Sequence, residues 1–328
     1  MSPRPNRPNV GNPLMTTAAV FALCFLCGGA TCARHPAPIP FPPPPAVFQQ
    51  TPSLEELSAV VNRTSNVREL SSNSATVEVL SMPNLPRLRA SLNLQRERRF
   101  RLRANLPIVL GAGMDMGSND EMFWFEVPEG MSKVLYYARH DQYRQQLNRA
   151  VLPVDPTWVM DALGLVQIDP STVVAGPIRR DDGKLEVRST IAMPDGTYQR
   201  VCFLDPNAGY VTDQYLYSPG GSLIAQSQAS KHMYYEQQQC ALPHQVEIHL
   251  APSVGPPLSL RIEVGSYSVN QLLSGDPQLF VMPTSASQSV DLTTLSDPTR
   301  SPAAVPSPTP IDYSANAATA YPLRGTLR

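Results

Sequence analysis

The histidines, cysteines and acidic residues of this sequence could carry catalytic or metal-binding chemistry, but their spacing matches no motif for either. Among the five histidines, His244 and His249 are an odd number of residues apart on one predicted strand, so they face opposite sides of it. Gly111, Gly113 and Gly117 lack the Gly-Lys-Ser/Thr ending of a phosphate-binding loop. No Gly-x-Ser-x-Gly motif is present, and no His, Cys and carboxylate spacing is typical of zinc. We therefore expect no enzymatic activity, no metal and no cofactor.

Cys32 is the residue whose position indicates a covalent modification. Two arginines precede an apolar run over residues 14–26, and small residues follow this run. This order is typical of a secretory signal peptide, which we assign to residues 1–33, and the run is too short for a membrane-spanning helix. Cys32 lies where bacterial lipoproteins carry the cysteine that is acylated. Cleavage after Ala33 by ordinary signal peptidase is the alternative.

Cys202 and Cys240 are the two cysteines outside the signal region. In an oxidising compartment two such cysteines can form one disulfide. Both flank predicted strands, but the sequence does not place them within bridging distance of each other. A disulfide between Cys202 and Cys240 and a pair of buried thiols therefore both remain open.

The overall composition excludes a nucleic-acid partner and divides the chain into four parts. The 328 residues carry 26 basic and 27 acidic side chains, for a formal net charge of −1, whereas nucleic-acid binding needs a strongly basic surface. After the signal peptide, residues 34–52 are rich in proline and form either a polyproline spacer or an unstructured linker. We place the folded domain at 53–283. The Ser/Thr/Ala/Pro-rich residues 284–328 are predicted to be a disordered tail.

Two short helices are predicted in the folded domain. Ser53 to Glu56 form a capping box at the start of an amphipathic helix over residues 53–63. Asp155 followed by Pro156 is typical of a second helix start, and this helix ends at Gly164. The apolar stripe of the first helix must cover another part of the domain.

The rest of the domain shows the two-residue period that is typical of β-strands. Residues 87–95 and 99–106 form a hairpin with one apolar face and one arginine face. Further strands, separated by turn residues, are predicted at 75–81, 120–127, 133–139, 185–192, 197–204, 210–217, 222–234, 244–251 and 258–269. This succession predicts a mainly β domain with a strongly curved antiparallel meander sheet or a barrel.

Four segments of the domain resemble the LolA/LolB-like superfamily, which includes periplasmic lipoprotein carriers and acceptors and the sensor domain of some sigma-factor regulators. These segments are residues 116–125, 135–138, 204–206 and 242–248, and the resemblance extends over residues 53–270. It implies a half-open β-barrel with the N-terminal helix and the second short helix covering its concave face. It also implies an apolar cavity for an acyl chain or a lipoprotein, on the periplasmic side of the envelope, with attachment to the outer membrane favoured.

A cavity of this kind would be lined by the apolar face of the predicted hairpin. Leu92, Leu94, Phe100 and Leu102 share that face. We expect them to line the cavity together with two aromatic residues of a neighbouring strand, Phe123 and Phe125. An interior that the covering helices fill completely is the alternative.

Two further surfaces are candidates for contacts with partners. The resemblance implies a loop that engages membrane or cargo, and by position it corresponds here to a segment with Ile108, Val109 and Leu110. This loop can instead fold back over the core. Arg99, Arg101 and Arg103 form a basic outer face that suits phosphate head groups or an acidic partner, or is simply solvated. Such a face would serve the alternative function, a periplasmic sensor or protein-interaction module without a lipid ligand.

Overall fold

The structure is a computed structural model, and it describes residues 42–105, 113–129, 132–145, 157–252, 257–271, 276, 278–284 and 286–294. Everything reported below lies in the compact unit that begins at Pro43. The predicted signal peptide with Cys32 falls outside the described residues, as does the loop with Ile108, Val109 and Leu110.

The strands of the described residues form one large sheet that does not close on itself. Its strand order is β15-β6-β5-β4-β3-β2-β1-β13-β12-β11-β10-β9-β8-β7, with β14 paired to β1. The strands are β1 (Glu69–Val79), β2 (Leu88–Gln95), β3 (Arg99–Asn105), β4 (Gly113–Ser118), β5 (Met122–Glu129), β6 (Ser132–Arg139), β7 (Val173–Arg179), β8 (Leu185–Met193), β9 (Gly196–Leu204), β10 (Val211–Tyr217), β11 (Leu223–Tyr235), β12 (Cys240–Leu250), β13 (Leu258–Val264), β14 (Ser268–Val269) and β15 (Gln288–Asp291). Neighbouring strands pair antiparallel except β15, which is parallel to β6. The predicted fold class, a mainly β domain with an open curved sheet, is confirmed.

Three short helices accompany this sheet within the described part of the chain. Helix α1 (Leu54–Val61) begins at the predicted capping box, in which Ser53 and Glu56 exchange two hydrogen bonds, and a 3₁₀ turn (Asn62–Asn66) follows it. Helix α2 is His140–Gln145. Helix α3 (Thr157–Met160) continues as a π-helical turn (Asp161–Leu165) in which Gly164 has a φ of 92°.

Two of the three strands that the sequence pattern did not predict, β4 and β7, owe their irregular sequences to close packing and to their place in the sheet. In β4, a Cβ atom on Gly117 would lie 2.3 Å from the indole ring of Trp124, so only glycine leaves room for that ring. Strand β7 contains Pro177 and forms an edge of the sheet, where a residue without a backbone N–H is tolerated. Alternation is therefore absent from both strands for local reasons.

The boundary between the folded domain and the tail lies further along the chain than the predicted position at residue 283. Strand β15 falls in the segment predicted to be disordered, and Leu292 just after it is buried with Phe123, Ala138 and Tyr143. A four-residue strand with one buried leucine has too little periodicity to stand out in a sequence rich in Ser, Thr, Ala and Pro. The prediction for residues 284–294 was therefore wrong.

Candidate functional site

The inner face of the sheet is an apolar surface that curves around helix α3. Four of the predicted cavity residues lie there in two cross-strand pairs, Leu94 opposite Phe100 and Leu92 opposite Leu102. All four are at most 1% exposed. Residues of β1 to β4 and of β9 to β13 belong to the same apolar cluster, so the two arms of the sheet face a common interior.

A helical segment of the chain itself covers this face. We call residues 157–168 the plug. Val166 and Ile168 of the plug pack in a neighbouring apolar cluster. Its other large apolar side chains belong to the same cluster as Phe100 and Leu102, and they are Trp158, Val159, Met160, Leu163 and Leu165. The hairpin face is thus brought together as predicted, and the covering helix fills the interior in this structure.

The plug is held at its C-terminal end by polar side chains that reach its backbone. Arg96 donates from Nη2 to the carbonyl oxygen of Leu165 at 3.2 Å and to that of Thr64 at 3.0 Å. The hydroxyl of Thr64 donates to the carbonyl of Val166 at 2.8 Å. Asn62 donates to the carbonyl of Ile168 at 2.9 Å and accepts from its N–H at 2.8 Å.

A fourth side chain, Arg200, completes this set. Its Nη2 donates to the carbonyl of Gln167 at 2.9 Å, and its Nη1 lies 3.2 Å from the carboxylate of Asp161. We call Asn62, Thr64, Arg96 and Arg200 the latch. Burial lowers the pKa of Arg96, an effect that the charge of Asp161 opposes. Because several of these contacts are hydrogen bonds to backbone groups of residues 165–168, losing a few of them would free that end of the plug.

The aromatic residues predicted for the same cavity do not all line it. Phe125 is half-buried against the inner-face cluster. Phe123 instead belongs to a separate cluster, where its ring lies 5.1 Å edge-on to that of Tyr143 in helix α2. Its assignment to the cavity was wrong, because helix α2 and the segment after β15 cover this end of the sheet with their own apolar side chains.

The predicted basic outer face is largely neutralised. The Arg101 side chain is only 4% exposed, lies 2.6 Å from Asp115, and donates to the carbonyls of Gln278 and Leu279. Arg103 is 3.4 Å from Asp115, and Arg99 is paired with Asp120. A free stripe of three arginines was therefore a wrong prediction. The neutralising carboxylates lie on the missed strand β4 and just beyond it, and the segment that covers Arg101 is distant in sequence.

The two cysteines of the domain are buried free thiols, so the structure does not contain the disulfide that the sequence left open. Cys202 lies on β9 and Cys240 on β12, with β10 and β11 between them. Neighbouring strands are about 4.8 Å apart, which separates the two residues by far more than the roughly 7 Å limit for a disulfide. Burial raises the pKa of both thiols, that of Cys240 to about 12.

We expect Cys202 and Cys240 to resist alkylation in the folded protein. The thiolate is the reactive form, and both thiols are buried and protonated at neutral pH. Mass spectrometry after N-ethylmaleimide treatment, on protein with Cys32 replaced by serine, should show label on these two residues only in denaturant. A drop in the thermal midpoint on adding a reductant would contradict the free thiols.

The described ranges lack two general features of functional sites. There, no group of three or more His, Cys, Asp or Glu side chains could hold a metal ion. No helix of the described part of the chain has the length and apolar character needed to cross a membrane.

Comparison with known proteins places this geometry beside a set of solved structures. No family model and no curated protein matches the sequence. A domain described as an outer membrane lipoprotein-sorting protein, from Vibrio parahaemolyticus, is 10% identical, with a TM-score of 0.42 over 69% of this chain and 97% of that one. A LolA superfamily protein from Nitrosomonas europaea is 10% identical, with a TM-score of 0.41 over the same shares. The chain is similar to both of these structures over about two thirds of its length.

A third solved structure is of a different named family. It is a DUF1329 family protein from Desulfovibrio piger, 10% identical, with a TM-score of 0.44 over 67% of this chain and 92% of that one. These identities are too low to indicate the function of the chain.

Proposed function

We propose that this protein is a non-enzymatic protein of the cell envelope that binds an acyl chain, or the acylated end of a lipoprotein, on its inner sheet face. The plug would move aside to admit the ligand. The observation that carries this proposal is an extended apolar face that is covered by a short segment, and a few side-chain hydrogen bonds to the backbone of that segment hold it in place.

The energies of the exchange support this proposal. Burying one large apolar side chain stabilises a fold by about 1.5–3 kcal/mol, so exposing the five plug side chains of the inner-face cluster costs on the order of 10 kcal/mol. An acyl chain of about sixteen carbons recovers a similar amount at about 0.8 kcal/mol per methylene. An acyl chain can thus replace the plug with little net cost, which a small polar ligand could not do.

The cellular setting belongs to the same proposal and is supported by the N-terminal sequence. A signal peptide over residues 1–33 would export the chain to the periplasmic side, and acylation of Cys32 would anchor it, with the outer membrane favoured. The proline-rich residues 34–52 would hold the domain away from the membrane surface. Ile108, Val109 and Leu110 would then contact membrane or cargo.

We expect Thr64→Val to strengthen the binding of an acyl probe by about three- to tenfold. The substitution keeps the shape of the side chain but removes the hydrogen bond to Val166, which costs the closed state about 0.5–1.5 kcal/mol. When only the open form binds, apparent affinity rises in proportion to its population. Titration of the full-length protein with a dansylated undecanoic acid, followed by fluorescence, measures the change.

A matched control for this experiment is Thr212→Val. It removes hydroxyl contacts with Phe203 and Asp213 on the β9–β10 side of the sheet, away from the plug, so probe affinity should stay at the wild-type value. Absence of probe binding by wild-type protein and by Thr64→Val would contradict the proposal. The inner face would then act only as a core, and the sensor or protein-interaction module would be the function to pursue.

A further inference from the structure

A cavity opens on the outer face of the sheet, on the opposite side from the plug. It has a volume of about 250 Å³ and lies over strands β3 to β6. Its polar lining residues are Arg101, Arg103, Asn105, Asp115, Glu126 and Lys133. Drug-sized ligands occupy pockets of about 300–1,000 Å³, so this cavity suits a smaller molecule.

Two carboxylates face each other across neighbouring strands in this cavity. Asp115 on β4 lies directly opposite Glu126 on β5, and Arg103 on β3 lies directly opposite Asp115. Like charges at directly opposite positions destabilise a sheet, so Asp115 and Glu126 need partners that offset their mutual repulsion. Both oxygens of Asp115 are occupied, because they accept from Arg101 and one also accepts from Trp124.

Glu126 is not satisfied in the same way. Its side chain is 2% exposed, and one of its oxygens accepts from the ammonium of Lys133 at 2.7 Å. The other oxygen, Oε2, is buried and has no hydrogen-bond partner among the described residues. A buried carboxylate oxygen without a donor is costly and rare in native proteins. Since Glu126 lines the cavity, a bound molecule is the natural source of the missing donor.

The remaining hydrogen-bonding capacity in the cavity is that of an anion site. Lys133 uses one of its three N–H groups on Glu126. Arg103 contacts Asp115 through Nε, and its two terminal nitrogens donate no hydrogen bond to another described residue. Arg103 and Lys133 are 43% and 31% exposed, so a ligand can reach them from solvent. Three cations against two carboxylates give this site one net formal positive charge.

We propose that this outer cavity binds a small phosphate ester that carries an ammonium group. The phosphate oxygens would accept from Arg103 and Lys133, which both suit phosphate, and the ammonium would donate to Oε2 of Glu126. The ligand therefore supplies the one missing donor and places the negative charge of its phosphate beside the excess positive charge of the site. The site does not depend on the plug or on the function proposed for the inner face. A soluble phosphoethanolamine and a phosphoethanolamine head group of a lipid share this chemistry.

The test is calorimetric titration of the full-length protein with O-phosphoethanolamine and, separately, with inorganic phosphate. Glu126→Gln keeps an acceptor for Lys133 but replaces the unpaired oxygen with a donor, so phosphoethanolamine binding should weaken at least about tenfold while phosphate binding is not weakened. Arg103→Gln, at an exposed position that is safe for folding, should weaken both ligands. Arg99→Gln lies on the same strand outside the cavity and should change neither.

Sedimentation with vesicles separates the two sources of the ligand. Binding to vesicles that contain phosphatidylethanolamine, but not to phosphatidylcholine vesicles, supports the proposal with a lipid head group as the source. Binding of the soluble compound alone supports it with a free metabolite as the source. Failure of both, or binding that neither Glu126→Gln nor Arg103→Gln weakens, overturns the proposal. Since acyl-probe binding is measured on the other face, this failure would leave the proposed function untouched.

Discussion

Phe100→Ala should lower the free energy of unfolding by about 3–5 kcal/mol. Phe100 is completely buried at the centre of the inner-face cluster, between Leu94 on β2 and Ser118 on β4. Truncation removes the transfer free energy of the ring and leaves a cavity that a close-packed interior fills only in part. Urea denaturation of the full-length protein measures the change as a lower midpoint with an unchanged slope.

The matched control for Phe100→Ala is the residue before it on the same strand. Arg99 is 44% exposed on the outer face and paired with Asp120, so Arg99→Ala should cost no more than about 1 kcal/mol. A cost below about 1.5 kcal/mol for Phe100→Ala would show that the ring is already partly solvated, and that the plug is open for much of the time. That result would contradict the closed structure and would favour ready access of a ligand.

The fold could be predicted largely because the inner face imposes alternation on long strands. The hairpin of β2 and β3 has an apolar residue at every second position, and its register confirms the predicted pairing. Strands β4 and β7 were not predicted, because Gly117 leaves space for an indole ring and Pro177 lies at a sheet edge. In both strands local packing or edge position decides the residue type, so the two-residue pattern is lost.

The candidate site could be predicted only in part, because its two halves depend on different kinds of contact. The apolar hairpin face follows from periodicity. The latch does not follow from periodicity, because Asn62 and Thr64 bind backbone carbonyls 106 and 102 residues away. Every residue has a backbone carbonyl, so a sequence does not show which one is bound. The burial of Arg101 was missed for the same reason, since backbone carbonyls at 278 and 279 accept from it. A polar cluster directly after a capped helix, at residues 62–64, is the one signal that could have located the latch.

The second large effect is a loss of stability on acidification that comes from His232. Its ring stacks on that of Tyr210 with centroids 4.0 Å apart, and its buried Nε2 has no hydrogen-bond partner in the described part of the chain. Burial lowers the pKa of His232 from 6.5 to about 4, although a hydrogen bond to the Val211 backbone and the charge of Asp205 raise it, and His244 lowers it further. Burial also lowers the pKa of His244, so this second histidine acts in the same direction.

The direction of the pH effect follows from which state binds the proton. Between pH 6.5 and about 4, His232 is protonated in the unfolded chain but not in the folded chain. The stability that depends on neutral His232 is therefore fully present above pH 6.5, and it falls as the pH drops. At about 1.4 kcal/mol per pH unit, the whole interval amounts to about 3 kcal/mol for this one residue. Urea denaturation at several pH values between 7 and 4.5 should therefore show a steadily falling free energy of unfolding.

Two substitutions test whether His232 causes this fall. His232→Phe keeps an aromatic ring against Tyr210, and His232→Asn keeps a donor for the Val211 backbone, but neither side chain titrates in this range. Both variants should begin less stable at pH 7 and lose less stability on acidification than the wild-type protein. If all three proteins lost stability in parallel, His232 would not be the group that binds the proton on unfolding. His244, which is buried between Tyr235 and the carbonyl of Val264, would then be the next residue to substitute.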